Sequence, residues 1–153
     1  MLFKTHFVIA LFFVLVFFSY VENPLVFLPV AFLATVLPDI DSRFSKIGHY
    51  KLSRIFNFFV HHRGVMHSFT FLAFISSLIF LFFREILLPF AFAYSLHLLL
   101  DAFTVSGIMP LYPLKWRTKG KIKTGGFLEG ILFVSFLLMD LFLLFFKIYL
   151  IVK

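Results

Sequence analysis

Apolar residues in this chain come in long runs, and the polar residues fall mostly between them. Five runs stand out, at about 6–20, 25–37, 65–83, 86–105 and 131–152. Glu22-Asn23-Pro24 closes the first and Arg84-Glu85 closes the third. A membrane-crossing helix needs roughly 20 apolar residues. The third, fourth and fifth runs reach that length and the first is marginal. The second, which carries Pro24, Pro29 and Pro38, is too short unless kinked, tilted or shielded by neighbours. Pro89 is expected in the first turn of the fourth helix, where proline is tolerated. Between the second and third runs, Leu52, Ile55, Phe56 and Phe59 recur at helical spacing, with Lys51 and Arg54 elsewhere on the wheel. That pattern predicts a short helix lying on the membrane surface. The pattern as a whole predicts an all-α polytopic membrane helix bundle of about five segments, forming a single integral membrane domain over 1–153.

Composition removes the soluble alternative. Of 153 residues 62% are hydrophobic, 27 of them phenylalanine, and a domain this small leaves too much of its area wet to hide that surface in one core. A bilayer solvates such side chains directly. Cysteine is absent, which excludes a disulfide framework and a thiolate metal site. The net charge is +7, and in so apolar a chain basic loops are expected to meet anionic lipid head groups rather than nucleic acid. The first run is expected to be a retained helix, because Ser19-Tyr20-Val21-Glu22 offers no small-x-small cleavage site.

Charge also sets an expected orientation. With five spans, the N-terminus and the loops 43–64 and 106–130 share one side, which then holds eleven of the fourteen lysines and arginines. The positive-inside rule assigns that side to the cytoplasm. The stretch Lys115-Trp116-Arg117-Thr118-Lys119-Gly120-Lys121 suits an interface and reads chiefly as a topogenic signal.

Ionisable groups at membrane depth are costly, and here they cluster. His6 opens the first run. Asp39 and Asp41 close the second in Leu37-Pro38-Asp39-Ile40-Asp41-Ser42. His62 and His67 open the third in His62-Arg63-Gly64-Val65-Met66-His67-Ser68, and His97-Leu98-Leu99-Leu100-Asp101 ends the fourth. Imidazole and carboxylate without thiolate suit catalytic zinc, manganese or iron. His97 and Asp101 are four apart and share a helix face. Under the five-span topology all these groups fall on the cytoplasmic side, an agreement independent of the basic residues that set the orientation.

Blander readings compete at each position. Asp39 and Asp41 fit a turn with an Asp cap, and His6 fits an interfacial polar residue. His49 and His61 read as solvated loop residues and Asp140 as helix-packing glue. Ser68, Ser95 and Thr104 are expected to bond main chain.

With Thr104, Gly107 and Pro110-Leu111-Tyr112-Pro113, these motifs resemble the YdjM-type family of predicted membrane-bound metal-dependent hydrolases over about residues 1–113. One departure is Met66, where the family pattern has threonine. The resemblance extends distantly to zinc-dependent phospholipase C and single-strand nucleases, whose helical folds hold three zinc ions with recurring His-x-x-x-Asp pairs. It implies ligand roles for His6, Asp39, Asp41, His62, His67, His97 and Asp101.

The expected function is hydrolysis of a phosphoester in a lipid or lipid-linked substrate at the cytoplasmic leaflet. The expected cofactor is a divalent metal, two or three ions, with zinc favoured. Asp39 and Arg63 are the expected catalytic residues, Arg63 steadying the phosphate. The rival is a divalent-cation transporter, which needs the same ligands and also polar access from both faces. A third reading, a structural protein with paired histidines and aspartates, needs no metal.

Overall fold

The computed structural model describes residues 1–39 and 65–153. Five α-helices make up most of these residues: α1 (Phe3–Phe17), α2 (Pro24–Val36), α3 (Phe69–Phe82), α4 (Arg84–Ala102) and α5 (Phe127–Val152). Short 3-10 turns extend α1 through Phe18–Tyr20 and α2 through Leu37–Asp39. No strand occurs among the described residues, and the two isolated β-bridges both lie in the loop between α4 and α5. The surface helix expected at 51–59 lies outside the described residues.

Local chemistry explains the helix limits. Pro24 opens α2, where its missing N–H costs nothing. Pro29 and Pro89 lie inside α2 and α4. Each withdraws the hydrogen bond from a carbonyl four residues back, at Leu25 and Glu85, in the first turn of its helix. α4 begins two residues earlier than the apolar run suggested, so Pro89 lies in the second turn rather than the first. A single residue, Phe83, with extended φ, reverses the chain between α3 and α4.

The third element departs most from expectation. Ser68 caps α3, its Oγ accepting from the Phe71 N–H at 3.1 Å and donating to the Val65 carbonyl at 2.6 Å. Residues 65–67 are therefore a turn, and the helix starts at Phe69. With 14 residues α3 is about 21 Å long, short of the roughly 30 Å hydrocarbon core. Among the described residues, three segments are long and apolar enough to cross a membrane: Phe3–Tyr20, Arg84–Ala102 and Phe127–Leu150. α2 and α3 are shorter apolar helices.

α4 is the hub, packing against α2, α3 and α1, and α1 in turn carries α5. Ala31 and Ala34 of α2 and Ala93 of α4 are all buried in the core cluster, and such small residues let two backbones approach closely. α5 runs parallel to α1, since Leu2 meets Glu129, Phe12 meets Phe136 and Ser19 meets Lys147. Its inward stripe is Glu129, Phe133, Phe136, Asp140, Leu143 and Lys147, at alternating spacings of four and three. Most other α5 side chains are exposed large hydrophobics, the surface that lipid solvates.

This up-and-down order puts the start of α1, the end of α2, the start of α3, the end of α4 and the start of α5 at one end of the bundle.

Candidate metal centre

At that end, the termini of α1–α4 bring five polar groups together. α1 supplies His6, the 3-10 turn after α2 supplies Asp39, the turn capped by Ser68 supplies His67, and the last turns of α4 supply His97 and Asp101. His6 and His97 are fully buried and His67 nearly so.

Four of these groups converge. One donor atom each from Asp39, His67, His97 and Asp101 lies within 4.8 Å of the others. His67 Nε2 is 3.6 Å from Asp39 Oδ1 and 3.7 Å from Asp101 Oδ2. His97 Nε2 is 3.9 Å from Asp39 Oδ1 and 3.7 Å from Asp101 Oδ2. A tetrahedral zinc ion with bonds of about 2.0–2.1 Å spaces its ligands about 3.3–3.4 Å apart. The four histidine–carboxylate distances exceed that spacing by about 0.2–0.6 Å, and every pair of donors lies within 4.8 Å, so a bound ion would draw the set together.

The donor chemistry fits a cation. His97 Nδ1 lies 2.9 Å from the Thr35 carbonyl oxygen, a partner that can only accept, so Nδ1 carries the hydrogen. In the neutral ring Nε2 then offers a lone pair, and this atom is buried without a hydrogen-bond partner among the described residues. A lone pair facing two carboxylate oxygens is repulsive unless positive charge lies between them. Fixing a ligand histidine through its second nitrogen is how proteins orient metal sites.

His6 stands behind the four. Its Nε2 is 3.1 Å from Asp101 Oδ1, and its ring stacks on His97 with centroids 3.9 Å apart and planes 11° from parallel. The nitrogen of Met1 also bonds Asp101 Oδ1. Oδ1 is thus engaged outward, and Oδ2 is the oxygen turned toward His67 and His97. Burial on its own would raise the proton affinity of Asp39, just beyond α2, but the His67 ring and the more distant His97 and His6 rings hold its carboxyl below the ordinary value.

The structure therefore brings together His6, Asp39, His67, His97 and Asp101. Asp41, His62 and Arg63 lie outside the described residues. Other groups serve the site without having been singled out. Tyr94 donates to the Met66 carbonyl at 2.6 Å and so pins the turn that carries His67. Glu129, buried at the start of α5, accepts from the Leu2 N–H at 2.6 Å and the Gly125 N–H at 2.5 Å, fixing α1 where His6 leaves it. Gly125-Gly126 before it and Gly130 after it were the only sequence signal for that role. The Ser68, Ser95 and Thr104 hydroxyls all donate to main-chain carbonyls, and Asp140 is buried with neither oxygen hydrogen-bonded among the described residues.

A family model, that of the YdjM inner membrane protein, matches residues 1–152. The chain belongs to this family. The match takes in the last helix as well as every residue of the cluster, and it supports a location in the inner membrane. No curated protein and no solved structure matches the chain.

The centre opens into a cavity of about 370 Å³, with Asp39, His67 and Asp101 on one side and residues of the α4–α5 loop on the other. A larger cavity of about 550 Å³ lies at the opposite end, around Glu22, Arg84 and Glu85, and includes no histidine.

Proposed function

We propose that the protein is a metal-dependent hydrolase of the inner membrane that cleaves a phosphoester bond in a lipid or lipid-linked substrate at the cytoplasmic leaflet. One observation carries this reading. Two carboxylates and two imidazoles from three helix ends meet within 4.8 Å of one another beside an open cavity, at the end of the bundle that bears the basic loop between α4 and α5.

A divalent cation held there supplies Lewis acidity toward water and toward a phosphoryl oxygen. Asp39 Oδ1, Asp101 Oδ2, His67 Nε2 and His97 Nε2 would hold it. Asp39 borders the cavity, and its carboxylate oxygen not committed to the cation can take a proton from an attacking water. His6 keeps Asp101 from rotating, and the Thr35 carbonyl keeps the His97 ring from flipping. Depth at the head-group level favours an interfacial substrate, and the positive-inside bias favours the cytoplasmic face. The distant resemblance to phosphodiester-cleaving enzymes supports that bond class by analogy of fold.

The transporter reading finds little support. Between the centre and the far end the core is Val14, Phe27, Ala31, Phe90, Ala93 and Tyr94, with no file of polar groups among the described residues.

Elemental analysis of the detergent-purified protein tests the site, with His97→Ala and Asp39→Ala alongside. Stoichiometric metal in the wild type and its loss in both variants is the expected result; a metal-free wild type refutes the centre. A screen of phospholipids for head-group release then tests hydrolysis. Metal-replete protein that releases no head group leaves a cation-binding membrane protein rather than an enzyme.

A further inference from the structure

The loop between α4 and α5, residues 103–126, is built as a wall rather than a tether. Its two arms are bonded to each other: Val105 N–H to the Ile122 carbonyl at 2.9 Å, Thr118 N–H to the Ile108 carbonyl at 3.0 Å, and Gly120 N–H to the Thr104 carbonyl at 2.9 Å. Gly107, with φ +61°, lies so close to the Thr118 carbonyl that a Cβ would overlap it, and Gly120 lies as close to the Phe103 carbonyl. Phe69 N–H donates to the Pro110 carbonyl at 2.8 Å, anchoring the loop on the first turn of α3 beside His67. The basic stretch read from sequence as a topogenic signal is therefore folded back over the metal centre.

Of its cations, Arg117 lines the centre's cavity, together with Ser106 and Thr124. It is exposed to the cavity mouth, and among the described residues it has no ion-pair partner. Once a divalent cation neutralises Asp39 and Asp101, this guanidinium leaves the cavity with uncompensated positive charge. A planar fork of N–H donors matches phosphate oxygens better than a point charge does. A cavity of about 370 Å³ admits a phosphate and the first atoms beyond it, but no acyl chain. The same loop offers somewhere else for an apolar tail: Phe103, Val105, Leu114 and Trp116 are all exposed. A tryptophan with basic neighbours on such a loop belongs at the lipid–water interface.

We propose that Arg117, supported by the Ser106 and Thr124 hydroxyls, is the anion clamp of this site, and that its ligand is the phosphate group of an ester held at the membrane interface. The proposal rests on the reading of the cluster as a metal centre, but not on hydrolysis. It also gives the basic loop a role in recognition, beyond orientation.

The test uses the full chain, zinc-loaded in detergent, titrated with inorganic phosphate by calorimetry. Arg117→Gln is expected to weaken phosphate binding about tenfold or more, and Arg117→Lys to restore part of the loss. Lys121→Gln, in the same loop but off the cavity, should stay within about twofold of wild type. Zinc content is measured on every variant and must remain at the wild-type level, which separates loss of the clamp from collapse of the centre. Equal affinity in Arg117→Gln and wild type, or equal weakening in Arg117→Gln and Lys121→Gln, overturns the proposal. A second arm places the protein in phosphatidylcholine nanodiscs with and without phosphatidic acid. Competition between that lipid and phosphate, lost in Arg117→Gln, assigns a lipid head group; no competition assigns a soluble phosphate ester and overturns the interfacial part. Arg117-dependent phosphate binding without head-group release would refute the hydrolase reading and leave the clamp standing.

Discussion

His6 divides two ways of building this centre. In the structure it acts through Asp101, with a 3.1 Å hydrogen bond to Oδ1 and a stacked ring 3.9 Å from that of His97, while the four-donor set is complete without it. Replacing it with alanine removes the bond that turns Asp101 Oδ2 inward and the ring that backs His97, but removes none of the four donors. Loss of an outer-shell partner typically weakens metal affinity about 10- to 100-fold, or about 1.4–2.8 kcal/mol. His97→Ala removes a donor directly and is expected to exceed that range. Because His6 is fully buried, His6→Ala also leaves a hole, so stability must be followed separately. His6→Gln supplies the control, since its amide nitrogen can reach Asp101 much as Nε2 does. Zinc competition with a chromophoric chelator, run in detergent beside thermal melts of the apo-proteins, gives both quantities. Recovery to within about fivefold of wild type in His6→Gln is expected. Affinity in His6→Ala as low as in His97→Ala would refute the outer-shell role and make His6 a ligand. Unchanged affinity would show that Asp101 needs no such support.

Three further outcomes follow from particular contacts. Gly107→Ala combines positive φ with overlap on the Thr118 carbonyl and should cost about 1–3 kcal/mol, whereas Gly125→Ala, at φ +73° with open space around it, should cost about 1–2 kcal/mol; thermal melts and limited proteolysis of the 103–126 loop compare them. Glu129→Gln weakens the acceptor for the Leu2 and Gly125 N–H groups and should lower stability by about 1–2 kcal/mol, read as a lower melting temperature with the helical circular dichroism retained. Asp140→Leu should be neutral or stabilising, because both carboxyl oxygens are buried without a hydrogen bond among the described residues; a destabilisation above about 2 kcal/mol would show a partner for Asp140.

Much of this protein is legible in the order of its residues. The apolar runs mark five helices because a bilayer leaves no other way to satisfy the backbone, and their count fixes which helix ends share a face. Counting spans is enough to bring His6, Asp39, His67, His97 and Asp101 to one end, since alternate crossings reverse direction. Helix limits were less legible. Val65 and Met66 are as apolar as any helical residue, and only the Ser68 cap shows that α3 starts later and leaves His67 in a turn.

Distances between chain-remote atoms were never in the sequence. That His97 bonds the Thr35 carbonyl, that His6 bonds Asp101, and that Arg117 lines the same cavity as Asp39 are facts of packing, with separations of 62, 95 and 78 residues along the chain. Hydropathy and motif spacing carry information about neighbours in sequence and about depth in the membrane. Rotation of each helix about its axis, and the path of a polar loop over a site, are decided by how alanines, glycines and phenylalanines interlock. The chain thus determined by itself that a buried polar cluster forms at one end of the helix bundle. Which oxygens and nitrogens meet there, and which cation overlooks them, was decided by the tertiary fold, because side-chain contact depends on small rotations that no linear pattern records.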